Sequence, residues 1–390
     1  MTEVDVVVVG GGPAGLVAAR EAASMDPALR VVLFERDRAI GSPVRCGEGV
    51  GSKGISEFID PVGANWIARK ITRVIFRAPN DTEVPVAEGD VGYILDRSRF
   101  EPALAALAGA AGADLRIATE VTALRRRVAG WELDTRGPRG IETFHARIVI
   151  GADGVETMVG RWAGLDTRVP ARDMESCAQY LVSGIEFDPD AIYLQFGDTV
   201  APGGYAWIFP KGVGVANVGL GIVAGKGDGR SARQYLDAYL ARYFPRGTVS
   251  GFTVGGVIVH PTVKKTVTDA LLLCGDSAHM VNPLSGGGIV NAMKAGRMAA
   301  RTAVNALHAG DTSAARLQQY HDDWMALLGD DHVRFWRVKE ALGKLDDGFY
   351  DQLARNVLDI PVQKRTLGRI FASALMHQPT LMPVIARYFI

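Results

Sequence analysis

"VDVVVVGGGPAGLVAAREAA", residues 4–23, is an apolar strand over residues 4–9, a glycine turn and an alanine-rich helix. Gly10 allows the tight bend, Gly12 lets backbone approach a pyrophosphate, and Gly15 lets helix and strand pack closely. The start of the helix then faces the phosphates with its unpaired N–H groups. A second strand, "RVVLFE", ends at Glu35, 35 − 15 = 20 residues beyond Gly15. A carboxylate there accepts hydrogen bonds from a ribose 2′-OH and repels a 2′-phosphate. The ligand implied is an ADP-ribose lacking that phosphate, the part common to NAD and FAD.

A flavin is long, and its far end needs a site of its own. After the apolar strand "ALLLC" comes "GDSAHMVNPLSGGGIVNAMKAG", in which Asp276 follows the strand end and Gly286 to Gly288 open another helix. An Asp there suits ribitol hydroxyls, and N–H groups at a helix start suit the negative charge of a reduced flavin. Earlier, "ARIVIGADGVETMVGRWAG" repeats strand, Asp153–Gly154 turn and helix. Alone, either segment is an ordinary strand-to-helix connection; with the first turn they point to FAD.

Composition excludes several classes. Lys plus Arg and Asp plus Glu both number 43 in 390 residues, so no basic surplus is available for nucleic acid. The apolar share of 48% excludes a disordered chain. Three scattered cysteines, Cys46, Cys177 and Cys274, fit reduced thiols in a cytoplasmic setting better than a disulfide framework. Seven histidines form no HxxxH pair, and no metal site is expected. No apolar run approaches the roughly 18 residues a bilayer span requires. The helical tail ending "LMPVIARYFI" suits either closing the core or peripheral contact with a membrane.

The fold expected is α/β: a Rossmann-type FAD-binding domain with an inserted antiparallel-sheet substrate domain and a C-terminal helical segment. The FAD domain is discontinuous, built from residues 1–70, 96–165 and 263–328. Residues 71–95 and 166–262, with strand-like runs such as "RVIFRAP", "SCAQYLVSGI" and "GVANVGLGIV", form the substrate domain, and residues 329–390 the helical segment. Such an arrangement leaves a cleft between the two sheets. The glycines of 212–221 continue as strand with no helix or acid following, so no second dinucleotide site is read. Electrons must then come from a transient donor, NAD(P)H or a ferredoxin-like protein.

Gly10 to Gly15 with Glu35, the "ADG" of 152–154 and the "GD" of 275–276 resemble the flavoprotein group that includes aromatic hydroxylases. "GSPVRCGEGV", residues 41–50, and "PGGYAWIFP", residues 202–210, narrow the resemblance to the geranylgeranyl reductase family. It covers most of residues 1–330. It implies FAD contacts at Ala14, Glu35, Cys46, Gly47, Gly49, Arg97, Val121, Asp276, Gly288 and Ile289. It also implies a prenyl-binding wall at Tyr205, Trp207, Phe209 and Pro210. On residue patterns alone, three rings spaced by two on one strand are core more often than slot, and it is the resemblance that turns the reading to a slot.

The resemblance implies saturation of isoprenoid double bonds, most nearly those of an archaeal-type digeranylgeranylglycerophospholipid. Geranylgeranyl diphosphate, chlorophyll and menaquinone chains are alternatives. A hydroxylase-like monooxygenase and a flavin-bound prenyl carrier are the rival readings. An isolated alkene needs a proton as well as a hydride, and aromatic faces would stabilise the positive charge that develops. Cys46 is the candidate catalytic group, as proton donor or as a modulator of the flavin; Arg45 favours its thiolate and Glu48 opposes it. Cys177 and Cys274, inside apolar strands, are expected to be structural.

Overall fold

The computed structural model describes residues 2–86, 91–365, 369–370 and 373. The first strand, Thr2–Val9, lies at the centre of an eight-stranded sheet, parallel to Gly140–Gly151 on one side and to Val31–Phe34 on the other. Leu271–Leu273 and Asp114–Arg116 extend the parallel part on either side, and an antiparallel meander of Glu120–Arg126 and Trp131–Gly137 folds onto the Gly140–Gly151 strand. Burial on both faces explains the near-continuous valine of the first strand.

The helices Pro13–Met25 and Ile289–His308 cross in close contact. A Cβ at Gly296 would lie 2.1 Å from the Ala14 carbonyl oxygen, so only glycine opposite a small residue lets the two backbones meet. Helix Arg97–Ala110 buries Phe100, Glu101, Leu104 and Ala108 against the same core.

The second sheet has seven strands, in the order Thr248–Ile258, Met174–Ser183, Val215–Val223, Tyr205–Gly212, Ala191–Phe196, Arg73–Arg77 and Glu83–Val86. It departs from the all-antiparallel expectation at one place: Ala191–Phe196 pairs parallel with Arg73–Arg77. These two strands are separated by more than a hundred residues, residues 96–165 of the first-sheet part among them, so no hairpin fixes their relative direction. A small third sheet of Gly49–Gly51, Gly92–Leu95 and Ile67–Ile71 joins the two large ones.

One face of the seven-stranded sheet buries Ala178, Tyr180, Ala206, Ile208, Val218 and Leu220 under helix Ala232–Tyr243. The other face looks toward the first sheet. Helices Asp330–Leu342 and Asp347–Leu358 close one end of that space. The Asp347 carboxylate accepts hydrogen bonds from the backbone N–H of Asp198 (2.6 Å) and Thr199 (3.2 Å), and Tyr350 stacks on Phe196. The described C-terminal helices therefore pack on the molecule; the terminal "LMPVIARYFI" lies outside the described residues. No helix among the described residues is long and apolar enough to cross a membrane.

Candidate functional site

A cavity of about 970 Å³ runs between the two large sheets. At one end stand the glycine turns. Gly10, at φ 109°, bends the chain so tightly that a Cβ would lie 2.2 Å from the Ala152 carbonyl oxygen, and a Cβ at Gly15 would lie 1.9 Å from that of Gly10. Both glycines permit the turn from within. Gly12 differs: a Cβ there would meet no protein atom within 4 Å and would project into the cavity. The helix that Gly12 caps has no side-chain cap, and neither does the helix that Gly288 caps. Two bare helix starts thus border one cavity, which suits a ligand with a pyrophosphate near one end and a developing anion near the other.

The remaining expected cofactor positions separate into two sets. Ala14, Cys46, Gly47, Gly49, Arg97, Asp276, Gly286, Gly288 and Ile289 line the cavity. Burial pushes the Asp276 carboxyl above its usual range, with Arg97 opposing. Outside the lining, Glu35 accepts hydrogen bonds from the backbone N–H of Gly11 (2.6 Å) and Asp37 (2.7 Å), fixing its carboxylate beside the first turn. Asp153 accepts one from the Val159 N–H (2.9 Å) and ties down the turn that Gly10 packs against. Val121 packs in the core of the meander, paired with Thr135.

Of the two arginines at the start of their helix, Arg97 turns inward to Glu101, while Arg99 is paired with Asp96 at the surface. The Cys46 sulfur accepts a hydrogen bond from the Glu48 backbone N–H (3.1 Å).

The floor of the cavity is the free face of the seven-stranded sheet, and its register defines the slot. One row crosses Gln179, Gly219, Trp207, Leu194, Phe76 and Val84; the next crosses Cys177, Gly221, Tyr205 and Phe196. Five strand spacings make the longer row about 24 Å. The rings of Tyr205, Trp207 and Phe209 stand in sequence with centroids 5.9 and 6.1 Å apart. Beyond them the floor continues through Leu194, Phe76, Phe196 and Val84, closed by Leu353, Ala354 and Val357 from helix Asp347–Leu358.

Two expectations need correction. Pro210 falls on the opposite face of its strand, with Ala206 and Ile208, because side chains alternate; it is buried away from the rings. Cys177, expected to be structural, lines the cavity, because its strand turns Glu175, Cys177 and Gln179 to that side and Ala178, Tyr180 and Val182 to the core.

Polar residues that the motifs did not reveal hold the Cys46 loop. Gln179 donates to the Cys46 carbonyl oxygen (3.0 Å) and accepts from Trp207 Nε1 (2.9 Å). Glu48, buried at φ 71°, accepts from Lys211 Nζ (2.7 Å), Asn217 Nδ2 (2.8 Å) and the Arg97 backbone N–H (2.7 Å). Gly47 is pressed against the rings: a Cβ there would sit 2.9 Å from Phe209. Phe209 is thus partly a seat for the loop. The sequence carried a faint signal in "ESCAQ", where polar or thiol residues alternate within an apolar strand. The Tyr205 hydroxyl donates to the Ser285 carbonyl oxygen (2.6 Å), linking the rings to the second glycine turn.

A dinucleotide-type turn, a second bare helix start and a partly buried Asp on one cavity define a FAD-dependent oxidoreductase. The description "FAD dependent oxidoreductase" fits residues 5–210, and "Geranylgeranyl reductase catalytic domain" fits residues 173–257. A digeranylgeranylglycerophospholipid reductase of Methanocella arvoryzae is 37% identical, covering 98% of both chains, and one of Methanoculleus marisnigri is 40% identical, covering 97% of this chain and 96% of its own. The crystal structure of a geranylgeranyl bacteriochlorophyll reductase-like protein from Thermoplasma acidophilum superposes with a TM-score of 0.91 at 32% identity, covering 99% of each chain. The chain belongs to the geranylgeranyl reductase family.

Proposed function

We propose that the protein saturates the geranylgeranyl chains of a digeranylgeranylglycerophospholipid. The observation that carries this reading is the slot, whose largely apolar floor runs continuously from the glycine turns. An extended isoprenoid matches its length and lack of polarity; the names of the curated relatives support the diether lipid as its bearer. Electrons come from a transient donor, a nicotinamide or a ferredoxin-like protein, and the lipid is taken from the membrane by peripheral contact.

When bound, FAD supplies the hydride equivalent. The residues that would hold it are those at the two helix starts, with Glu35 and Asp276 for hydroxyls. The chain's own groups do the rest. Trp207, oriented by Gln179, and Tyr205, oriented by Ser285, present aromatic faces to the carbon that becomes positive, about 0.5–2 kcal/mol per contact. The closely packed loop carrying Cys46 excludes water from the reacting end. Cys46 acts there as proton donor or as the group that sets the geometry of the ring it faces.

The deciding experiment is anaerobic single turnover. Protein holding photoreduced FAD is mixed with digeranylgeranylglycerophospholipid, and mass spectrometry counts the hydrogens gained. Conversion that requires oxygen would make the protein a monooxygenase; unchanged double bonds would make it a carrier.

Trp207→Ala should keep FAD and slow saturation at least about tenfold, because stacking and charge stabilisation are lost where charge develops. Its cost in stability should stay below the about 3–5 kcal/mol of a core tryptophan, since the ring is only half-buried. Thermal unfolding and single turnover on one preparation separate the two effects. A large fall in melting temperature with saturation intact would make the ring strand core.

A further inference from the structure

The cavity wall holds one acid that neither the cofactor positions nor the ring strand use. Glu175 lies on Met174–Ser183, two residues before Cys177 and on the same face. It is 8% exposed, and no hydrogen bond from a described residue holds its carboxyl. Its place depends on a glycine in the neighbouring strand: a Cβ at Gly221 would stand 3.1 Å from both Glu175 Oε2 and Cys177 Sγ. Gly221 is also the partner of Tyr205 in the sheet, so the carboxyl and the ring flank one side-chain-free patch of floor.

We propose that Glu175 is the acid that delivers the proton to the alkene carbon during saturation. The proposal rests on the reading of the slot as a prenyl site. In one coupled step the Glu175 O–H bond breaks and a C–H bond forms at one alkene carbon. The more substituted carbon, facing Tyr205 and Trp207, receives the electron pair and hydrogen of the hydride equivalent held by reduced FAD. The carboxylate left behind regains its proton from solvent. Cys46 then keeps the second of its two roles, positioning the ring.

The surroundings favour a proton held at neutral pH. Burial pushes the carboxyl up to about 7, with Lys339 opposing. Lys339, on Asp330–Leu342, is itself engaged 3.6 Å from Asp173, which also accepts from Trp336 Nε1 and stands 3.9 Å from His260. The other ionisable groups near Glu175 are Cys177 on its own strand and Tyr205 on the next but one, and Cys46 and Arg45 on the loop line the same cavity. An acid must be protonated to act, so the saturation rate should be full below about 7 and fall as pH rises through it.

The test uses FAD-loaded protein, photoreduced without oxygen and mixed with digeranylgeranylglycerophospholipid at a series of pH values. Glu175→Gln should lose about 100-fold in saturation rate together with the alkaline limb, while FAD binding and photoreduction match the parent. Glu175→Asp should recover part of the rate with the limb restored. Infrared difference spectra of the oxidised protein supply a readout independent of turnover: a carboxylic-acid carbonyl band titrating near neutrality, absent from Glu175→Gln. A Glu175→Gln protein that keeps the parent's rate and limb would overturn the proposal alone, and loss of the limb in Cys46→Ser instead would assign the proton to the thiol. A parent protein that saturates no chain would overturn the prenyl reading and the proposal with it.

Discussion

Gly12→Val should give a folded protein that no longer retains FAD. The backbone at Gly12 is extended, at φ −78° and ψ −178°, a conformation valine adopts freely, and its Cβ would meet no protein atom. Stability should therefore change by less than about 1 kcal/mol. The branched side chain would instead fill the space at the helix start that a pyrophosphate needs, and affinity should fall about 100-fold or more, equivalent to about 2.7 kcal/mol. Flavin fluorescence titration and thermal unfolding measure the two quantities. Gly15→Val is the contrast, since its Cβ would lie 1.9 Å from the Gly10 carbonyl oxygen and the fold itself should suffer. Parent-like FAD affinity in Gly12→Val would remove the first turn from the cofactor site.

Glu48→Ala should be the most destabilising single change in the loop. The ion pair with Lys211 is largely buried, with side-chain exposures of 6% and 16%, and the same carboxylate serves Asn217 and the Arg97 N–H. Removing it leaves the Lys211 ammonium without its counter-charge, with only the Leu95 carbonyl oxygen as partner, and the Arg97 N–H without its acceptor, an expected loss of about 3–5 kcal/mol. Denaturant unfolding of the FAD-free protein isolates this effect from cofactor binding. Glu48→Gly should recover about 1 kcal/mol of it, because the residue sits at φ 71°. A loss under about 1 kcal/mol in Glu48→Ala would mean that the loop is held by packing on Phe209 alone.

The two glycine turns illustrate what local sequence can specify. A strand, a bend and a helix start are made by neighbouring residues, so Gly10, Gly12 and Gly15 announce their geometry and the ligand it admits. Asp276 and Gly288 do so more weakly, since many strand-to-helix connections look alike. The loop around Cys46 was recognisable only through its resemblance to a family; nothing in its spacing states what surrounds it.

Side-chain direction in the second sheet was legible only as alternation, and alternation does not say which face is covered. Helix Ala232–Tyr243 takes the side of Ala206, Ile208 and Ala178, which sends Pro210 to the core and brings Cys177, Gln179 and Glu175 to the cavity. The neighbours of Glu48 come from three separate segments, and Gly221 leaves room for a carboxyl on a strand more than forty positions earlier. Local backbone chemistry therefore determined the nucleotide-binding turns and the presence of a ring strand. Strand register and helix placement, which depend on contacts between residues far apart in the chain, decided which side chains face the slot and which acid stands in it.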